Sequence, residues 1–141
     1  MESNRSNLRL RIVSPEGPVT DVEVRSVVFP GEDGLFGVLP RHASMVSLTE
    51  SGLLRATGMD GEVIEYVIHD GFAQVRDNLV TVLSRSAEKP DEIDLDRARA
   101  AAERALERLR AQRTEFDLDR AQIALRRALM REKAARRMAQ R

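Results

Sequence analysis

The side chains best placed to do chemistry in this sequence are arginines. Arg97 and Arg104 stand one heptad apart, Arg127 and Arg131 stand at i and i+4, and Glu88 and Asp94 lie just upstream of the first pair. A guanidinium offers a planar fork of donors that matches phosphate oxygens, so four of them converging would suit a triphosphate. The same arginines could instead be solvated charges paired with Glu103, Glu107 and Glu132, because exposed helical ion pairs at such spacings are common and weak. Residue types alone leave both readings open.

Catalysis finds no comparable support. The chain has no cysteine, which removes a disulfide framework, a thiol nucleophile and a cysteine-based zinc site. His42 and His69 are far apart with no ligand spacing between them. Ser44 lies near His42, but a base without an orienting partner is no triad. Both histidines read as structural or contact residues. Gly31, Gly34 and Gly37 lack the Lys-Ser/Thr that completes a phosphate loop, and Glu32 and Asp33 would repel phosphate. They read as glycines supplying unusual backbone angles to an irregular loop, Gly31 to His42. No catalytic residue, metal ligand set or required cofactor is expected, and the chain is not expected to be an enzyme.

The elements that must position these residues fall into two halves. Leu8, Leu10 and Ile12 alternate with Arg9 and Arg11, the period of a half-buried strand. Further strands are predicted around Val22–Phe29 and at Leu53–Thr57, Glu62–His69, Phe72–Arg76 and Leu79–Ser84. Pro15-Glu16-Gly17-Pro18, Asp60-Gly61, Asp70-Gly71 and Asp77-Asn78 separate them with tight-turn chemistry. Short strands at this spacing predict an antiparallel sandwich or barrel.

After Ala87-Glu88-Lys89-Pro90 the pattern becomes helical. Glu92-Ile93-Asp94-Leu95-Asp96-Arg97-Ala98 recurs almost intact as Glu115-Phe116-Asp117-Leu118-Asp119-Arg120-Ala121. Each copy reads as a helix start, with Asp94 or Asp117 as N-cap and Ile93 or Phe116 as a hydrophobic staple. Helix one is predicted over Leu95–Gln112, with Leu95, Ala98, Ala102, Ala105, Leu106 and Leu109 inward. Helix two is predicted over Leu118–Met138, with Leu118, Ala121, Leu125, Ala128 and Leu129 inward. The short polar link Arg113-Thr114-Glu115 makes them antiparallel, and positions whose numbers sum to about 229 lie at equal height. Much of this seam is alanine, worth about 0.8 kcal/mol per methyl against about 2 for a leucine, so the closed pair is expected to be marginal. The units implied are 1–88 and 89–141.

Charge divides the same way. Residues 1–90 carry 9 Lys/Arg and 13 Asp/Glu, residues 91–141 carry 14 and 10, and from Arg120 to Arg141 the only acid is Glu132. A helix so basic either seeks an anionic partner or stays solvated. An alternative function is a nucleic-acid-binding module using this helix on a β-sandwich scaffold. Against it, none of Phe29, Phe36, Tyr66, Phe72 and Phe116 is interleaved with the tail arginines for base stacking. The polar start Met1 to Asn7 reads as neither a signal nor a transit peptide, and no apolar run is long enough to span a membrane.

Several motifs in combination resemble a known family. They are Leu8–Ser14, then Gly34-Leu35-Phe36-Gly37-Val38-Leu39-Pro40-Arg41-His42-Ala43, Gly71-Phe72-Ala73-Gln74-Val75, Asn78–Leu83 with Ala87-Glu88, and Ile93-Asp94-x-x-Arg97-Ala98. Over essentially the whole length the chain resembles the epsilon subunits of bacterial F-type ATP synthase. The resemblance implies an α+β fold, an N-terminal antiparallel β-sandwich of about ten strands followed by an antiparallel two-helix hairpin. It also implies a non-catalytic rotor subunit in the central stalk, coupling ion flow to ATP synthesis. Its implied partners are the gamma subunit, the c-ring and the alpha/beta catalytic head, with no nucleic acid. Membrane association comes only through that complex, at the cytoplasmic face of the bacterial cell membrane.

In the family the hairpin can extend into the catalytic head and inhibit ATP hydrolysis, and some members bind ATP as a regulatory ligand in the folded hairpin. The matching positions here are Glu88, Ile93, Asp94, Arg97, Ala98, Arg104, Arg127 and Arg131. Candidate partner contacts are Leu35, His42, Arg126, Lys133, Arg136 and Arg137. The sequence departs from the family at Arg41, where glycine is usual, at Ser44, where proline is common, and at Leu35, where some relatives carry an acid.

Overall fold

Alternating apolar side chains and tight turns build the first half of the chain, and a capped alanine-rich stripe builds the second. The computed structural model describes residues 7–111 and 115–139. The chain divides into two compact units, Met1–Glu88 and Lys89–Arg141.

In the first unit the described residues form nine strands. They are β1 (Leu8–Ser14), β2 (Gly17–Gly31), β3 (Gly34–Val38), β4 (Met45–Thr49), β5 (Gly52–Gly58), β6 (Val63–Ile68), β7 (Gly71–Arg76), β8 (Leu79–Ser84) and β9 (Ala87–Glu88). Neighbours run β1-β8-β7-β4-β2-β5-β6-β9, with β3 on β2 and β1 also paired to β2. The long strand β2 joins the layers of the sandwich. Its first part pairs with β1 and its second part with β3 and β5, with a register shift between Val24 and Ser26. Such a bulge bends a strand and redirects it. The pairings are antiparallel except β1 with β8, where Leu10 lies beside Val80 and Ile12 beside Val82 in parallel register.

The alternation read in β1 is the core itself. Leu8, Leu10 and Ile12 are fully buried, as are Val24, Val27, Phe29, Leu54, Val80 and Val82. The Asp77-Asn78 turn has both residues at positive φ, 49° and 61°, the geometry that joins two strands by a two-residue loop. One expectation needs correction. The stretch Gly31 to His42, read as an irregular loop, contains β3, which pairs Phe36 with Phe29 and Val38 with Val27. Gly34 does hold a left-handed φ of 120°, but it does so at the start of a strand.

The second unit opens with a 3-10 turn, Pro90–Glu92, which packs against the second helix. Helix α1 spans Leu95–Arg110 and helix α2 spans Glu115–Ala139. Asp94 caps α1 as expected, its side chain accepting from the Arg97 backbone N–H at 3.1 Å. The second copy of the motif behaves differently. Helix α2 spans Glu115–Ala139, so Asp117 lies within the helix and not at the position before it, and a carboxylate there is favoured by the helix dipole. Gln112, Arg113, Thr114 and the side chain of Phe116, for which a helix end, a link and a staple are expected, lie outside the described residues.

The helices are antiparallel. Arg99 Nε on α1 meets Glu132 Oε1 on α2 at 3.5 Å, a register two positions from the one inferred. Ala98, Ala102 and Ala105 of α1 are buried, with Ala121, Ala128, Ala134 and Ala135 of α2. Leu106, Leu118 and Leu129, expected inward, are instead 40%, 36% and 49% exposed. An alanine stripe lets two helices approach closely, which leaves bulkier side chains on the flanks of the seam.

Candidate functional site

Two groups of residues carry the functional candidates, one in each unit. In the helical unit, Ile93 and Ala98 are buried at the start of α1. Asp94, Arg97 and Arg104 are exposed on the α1 side, while Arg127 and Arg131 are half-buried on α2. Glu88 is half-buried at the end of β9 and belongs to the sandwich unit. The basic residues Arg126, Lys133, Arg136 and Arg137 are all exposed. Three of them, Lys133, Arg136 and Arg137, line a shallow cleft of about 300 Å³ with Leu129 and Glu132. The five residues are spaced i, i+3, i+4, i+7 and i+8, which puts the cleft along one side of α2, next to the seam that Glu132 borders.

In the sandwich, Leu35 is 76% exposed on β3. His42 is half-buried, its ring edge-on to Phe36 at 5.5 Å between centroids. Its Nδ1 lies 2.7 Å from the Ala43 carbonyl oxygen. That oxygen only accepts, so Nδ1 is the donor in this contact. Arg41 adopts φ 67° and its backbone N–H donates to the Asn78 side-chain oxygen at 2.6 Å. The arginine therefore takes up the left-handed backbone that a glycine would adopt readily, and the contact to Asn78 ties this loop to the β7–β8 turn. Both lie on an open cleft of about 1190 Å³ that Arg9, Arg11 and Glu23 also line. Beside it, Asp21 meets Arg9 Nε at 2.5 Å and Arg11 Nε at 3.5 Å. The hydrogen bond from Arg9 holds the Asp21 carboxyl below its usual pKa. By contrast, His69 is a buried structural residue, with Ser51 Oγ at 3.1 Å from its Nδ1 and Ser84 Oγ on its backbone.

One surface escaped the sequence reading. Strand register sets Leu48 beside Phe72 and Phe72 beside Leu83, and these three are 45%, 51% and 48% exposed. Val46, two residues from Leu48 on the same face, is 68% exposed. Their strand neighbours Ala73, Val75, Val80 and Val82 point inward and are buried. The row is therefore a contiguous apolar stripe on the outer face of β4, β7 and β8, the kind of patch that marks a protein contact. Its sequence signal is apolar residues in both phases of β7 and β8.

No helix among the described residues is long and apolar enough to cross a membrane. Nor do those residues contain a group of three or more His, Asp or Glu that could hold a metal ion. A β-sandwich with an exposed apolar stripe, joined to a basic helix pair, defines a two-unit α+β chain.

The comparisons with known proteins make this specific. Residues 7–90 match the beta-sandwich domain model of the ATP synthase delta/epsilon chain, and residues 91–136 match its long alpha-helix domain model. The chain is 48% identical over 100 residues to the ATP synthase epsilon chain of Desulfitobacterium hafniense strain Y51, covering 71% of this chain and 75% of that one. It is 40% identical over 104 residues to the epsilon chain of Synechococcus elongatus, covering 74% and 75%. The fold is also that of a chain in the Euglena gracilis mitochondrial ATP synthase structure comprising OSCP, F1 and c-ring, with TM-score 0.80, 23% identity and coverage of 96% of this chain and 82% of that one. A chain in the Tetrahymena thermophila mitochondrial central stalk and c-ring structure gives TM-score 0.67 at 11% identity, covering 91% and 96%. The chain belongs to the ATP synthase delta/epsilon family, among the epsilon subunits of the F-type central stalk, and is a non-catalytic subunit of that enzyme.

Proposed function

We propose that the sandwich fixes this subunit in the rotor and that the helix pair regulates ATP hydrolysis. The stripe of Leu48, Phe72 and Leu83 docks on the gamma subunit, and the Leu35 and His42 region meets the c-ring. The helix pair closes on itself in one state. In the other it opens along gamma, and the basic face of α2 meets acidic surface in the alpha/beta head and slows hydrolysis. Membrane association comes only through this complex, at the cytoplasmic face of the bacterial membrane. No cofactor is required. ATP is a regulatory ligand of the closed pair, held by Arg97, Arg104, Arg127 and Arg131 with Asp94.

The observation that carries the regulatory reading is the combination on α2. Four exposed cations, Arg126, Lys133, Arg136 and Arg137, sit on a helix whose buried seam is alanine. A seam of methyl groups contributes little per contact, so competing contacts of a few kcal/mol can exchange one state for the other. The test is to add this chain to an epsilon-depleted catalytic head. The full chain should lower ATP hydrolysis, whereas a chain ending after Glu88 should bind gamma without inhibiting. Equal inhibition by both would remove the helix pair from the mechanism. For the nucleotide, calorimetry of ATP against the full chain and Arg127→Ala should show heat only for the former.

A further inference from the structure

We infer that Glu132 is an ionic latch that holds the helix pair closed and makes its closure sensitive to ionic strength. The inference rests on the reading of the helix pair as a two-state element. Glu132 is the only acid between Arg120 and Arg141, and it is not spent on solvent. Its side chain is only 18% exposed, and Oε1 lies 3.5 Å from Arg99 Nε on α1 and 2.5 Å from Arg136 on its own helix.

The two partners play different parts. Arg136 sits one turn beyond Glu132, so that contact survives whether the helices are together or apart. The contact to Arg99 crosses the seam and exists only in the closed pair. Around it the seam is Ala98, Ala102, Ala105, Ala121, Ala128, Ala134 and Ala135. Such a seam has little directionality, because methyl groups tolerate rotation and sliding. A partly shielded carboxylate facing a guanidinium across the seam favours one register as well as adding attraction. Partial shielding also makes the pair stronger than a fully solvated one while leaving it within reach of salt.

Opening therefore separates Arg99 from Glu132 and frees a cation on α1, while α2 keeps its own pair. High salt, or any cation that competes for Glu132, favours the open state.

The experiment uses the full chain, whose lack of cysteine allows spin labels to be placed uniquely. Glu103→Cys and Arg126→Cys put labels at matching heights on exposed positions of α1 and α2. The background protein is compared with Arg99→Gln, Glu132→Gln, the double variant and Arg136→Gln by pulsed dipolar spectroscopy. At low salt, Glu132→Gln and Arg99→Gln should each raise the ratio of long to short distances about two- to fivefold, the range of a partly exposed ion pair. The double variant should open no further than either single one, and Arg136→Gln should open the pair less. Added salt should open the background protein while hardly moving Glu132→Gln. Unchanged distances in Glu132→Gln at every salt concentration would overturn the latch, and so would additive effects of the two single variants. Inhibition of the catalytic head is a separate measurement. A latch that works in a chain that does not inhibit would refute the regulatory reading and leave the latch standing.

Discussion

Arg41 holds a left-handed backbone at φ 67° without being glycine. That conformation brings Cβ against the neighbouring carbonyl and costs an L-residue about 1–2 kcal/mol. Arg41→Gly relieves it, and the extra freedom of glycine in the unfolded chain returns about half of the gain. The expected result is a stabilisation of about 0.5 kcal/mol in urea unfolding. A lowered midpoint would mean that the guanidinium makes contacts worth more than the strain. Asp21 carries the other residue-scale prediction. Its carboxyl lies below the usual value of 3.8 because Arg9 donates a hydrogen bond to it. A depressed carboxylate stabilises the fold above the unfolded pKa, and that contribution disappears as pH falls through the folded value. The melting temperature of Asp21→Asn should therefore lie below that of the native chain at pH 7. The two should converge as the medium is acidified past the ordinary carboxylate range. A difference that persists in strong acid would assign the effect to packing instead.

Helix α1 depends on its cap as an element. Asp94→Ala removes the acceptor for the Arg97 N–H and should cost about 1 kcal/mol. The loss should fall on the helical unit, seen as earlier loss of the 222 nm signal on heating, while the strand signal holds its midpoint. This cap was legible because capping is a local matter of one side chain and one amide. Its apparent duplicate at Asp117 was not, because α2 starts at Glu115 and the repeat carries no information on where the chain turns. Strand β3 was hidden for a related reason. Gly34 and Gly37 look like a loop, and only pairing with β2 makes the segment extended. With β3 and β4 unread, Leu48 had no known neighbour, so the stripe it forms with Phe72 and Leu83 could not be assembled. The antiparallel helix register was nearly right because a short link dictates it. Which apolar side chains faced inward was not fully readable. Alanine and leucine score alike as apolar, yet only the smaller one fits the close seam, and Leu106, Leu118 and Leu129 are displaced from it.

At the scale of the whole molecule, the roles of the two units should be separable by surface changes. Phe72 is 51% exposed, and its neighbours on the buried face, Ala73 and Val75, hold the strand. Phe72→Glu should therefore fold with little change in stability, since exposed substitutions outside special contacts stay within about 0.5 kcal/mol. It should nevertheless break docking, because a carboxylate in the middle of an apolar contact must be desolvated without a partner. Lys133→Glu with Arg137→Glu reverses charge at exposed positions of α2 and leaves the buried alanines untouched. Measured on the reconstituted catalytic head, Phe72→Glu should abolish both gamma binding and inhibition. The double charge reversal should bind normally and lose inhibition, with the largest contrast at low salt, where surface charges are least screened. If the charge reversal weakened gamma binding as much as Phe72→Glu does, docking and regulation would share one surface, and the division of labour between sandwich and helices would be wrong.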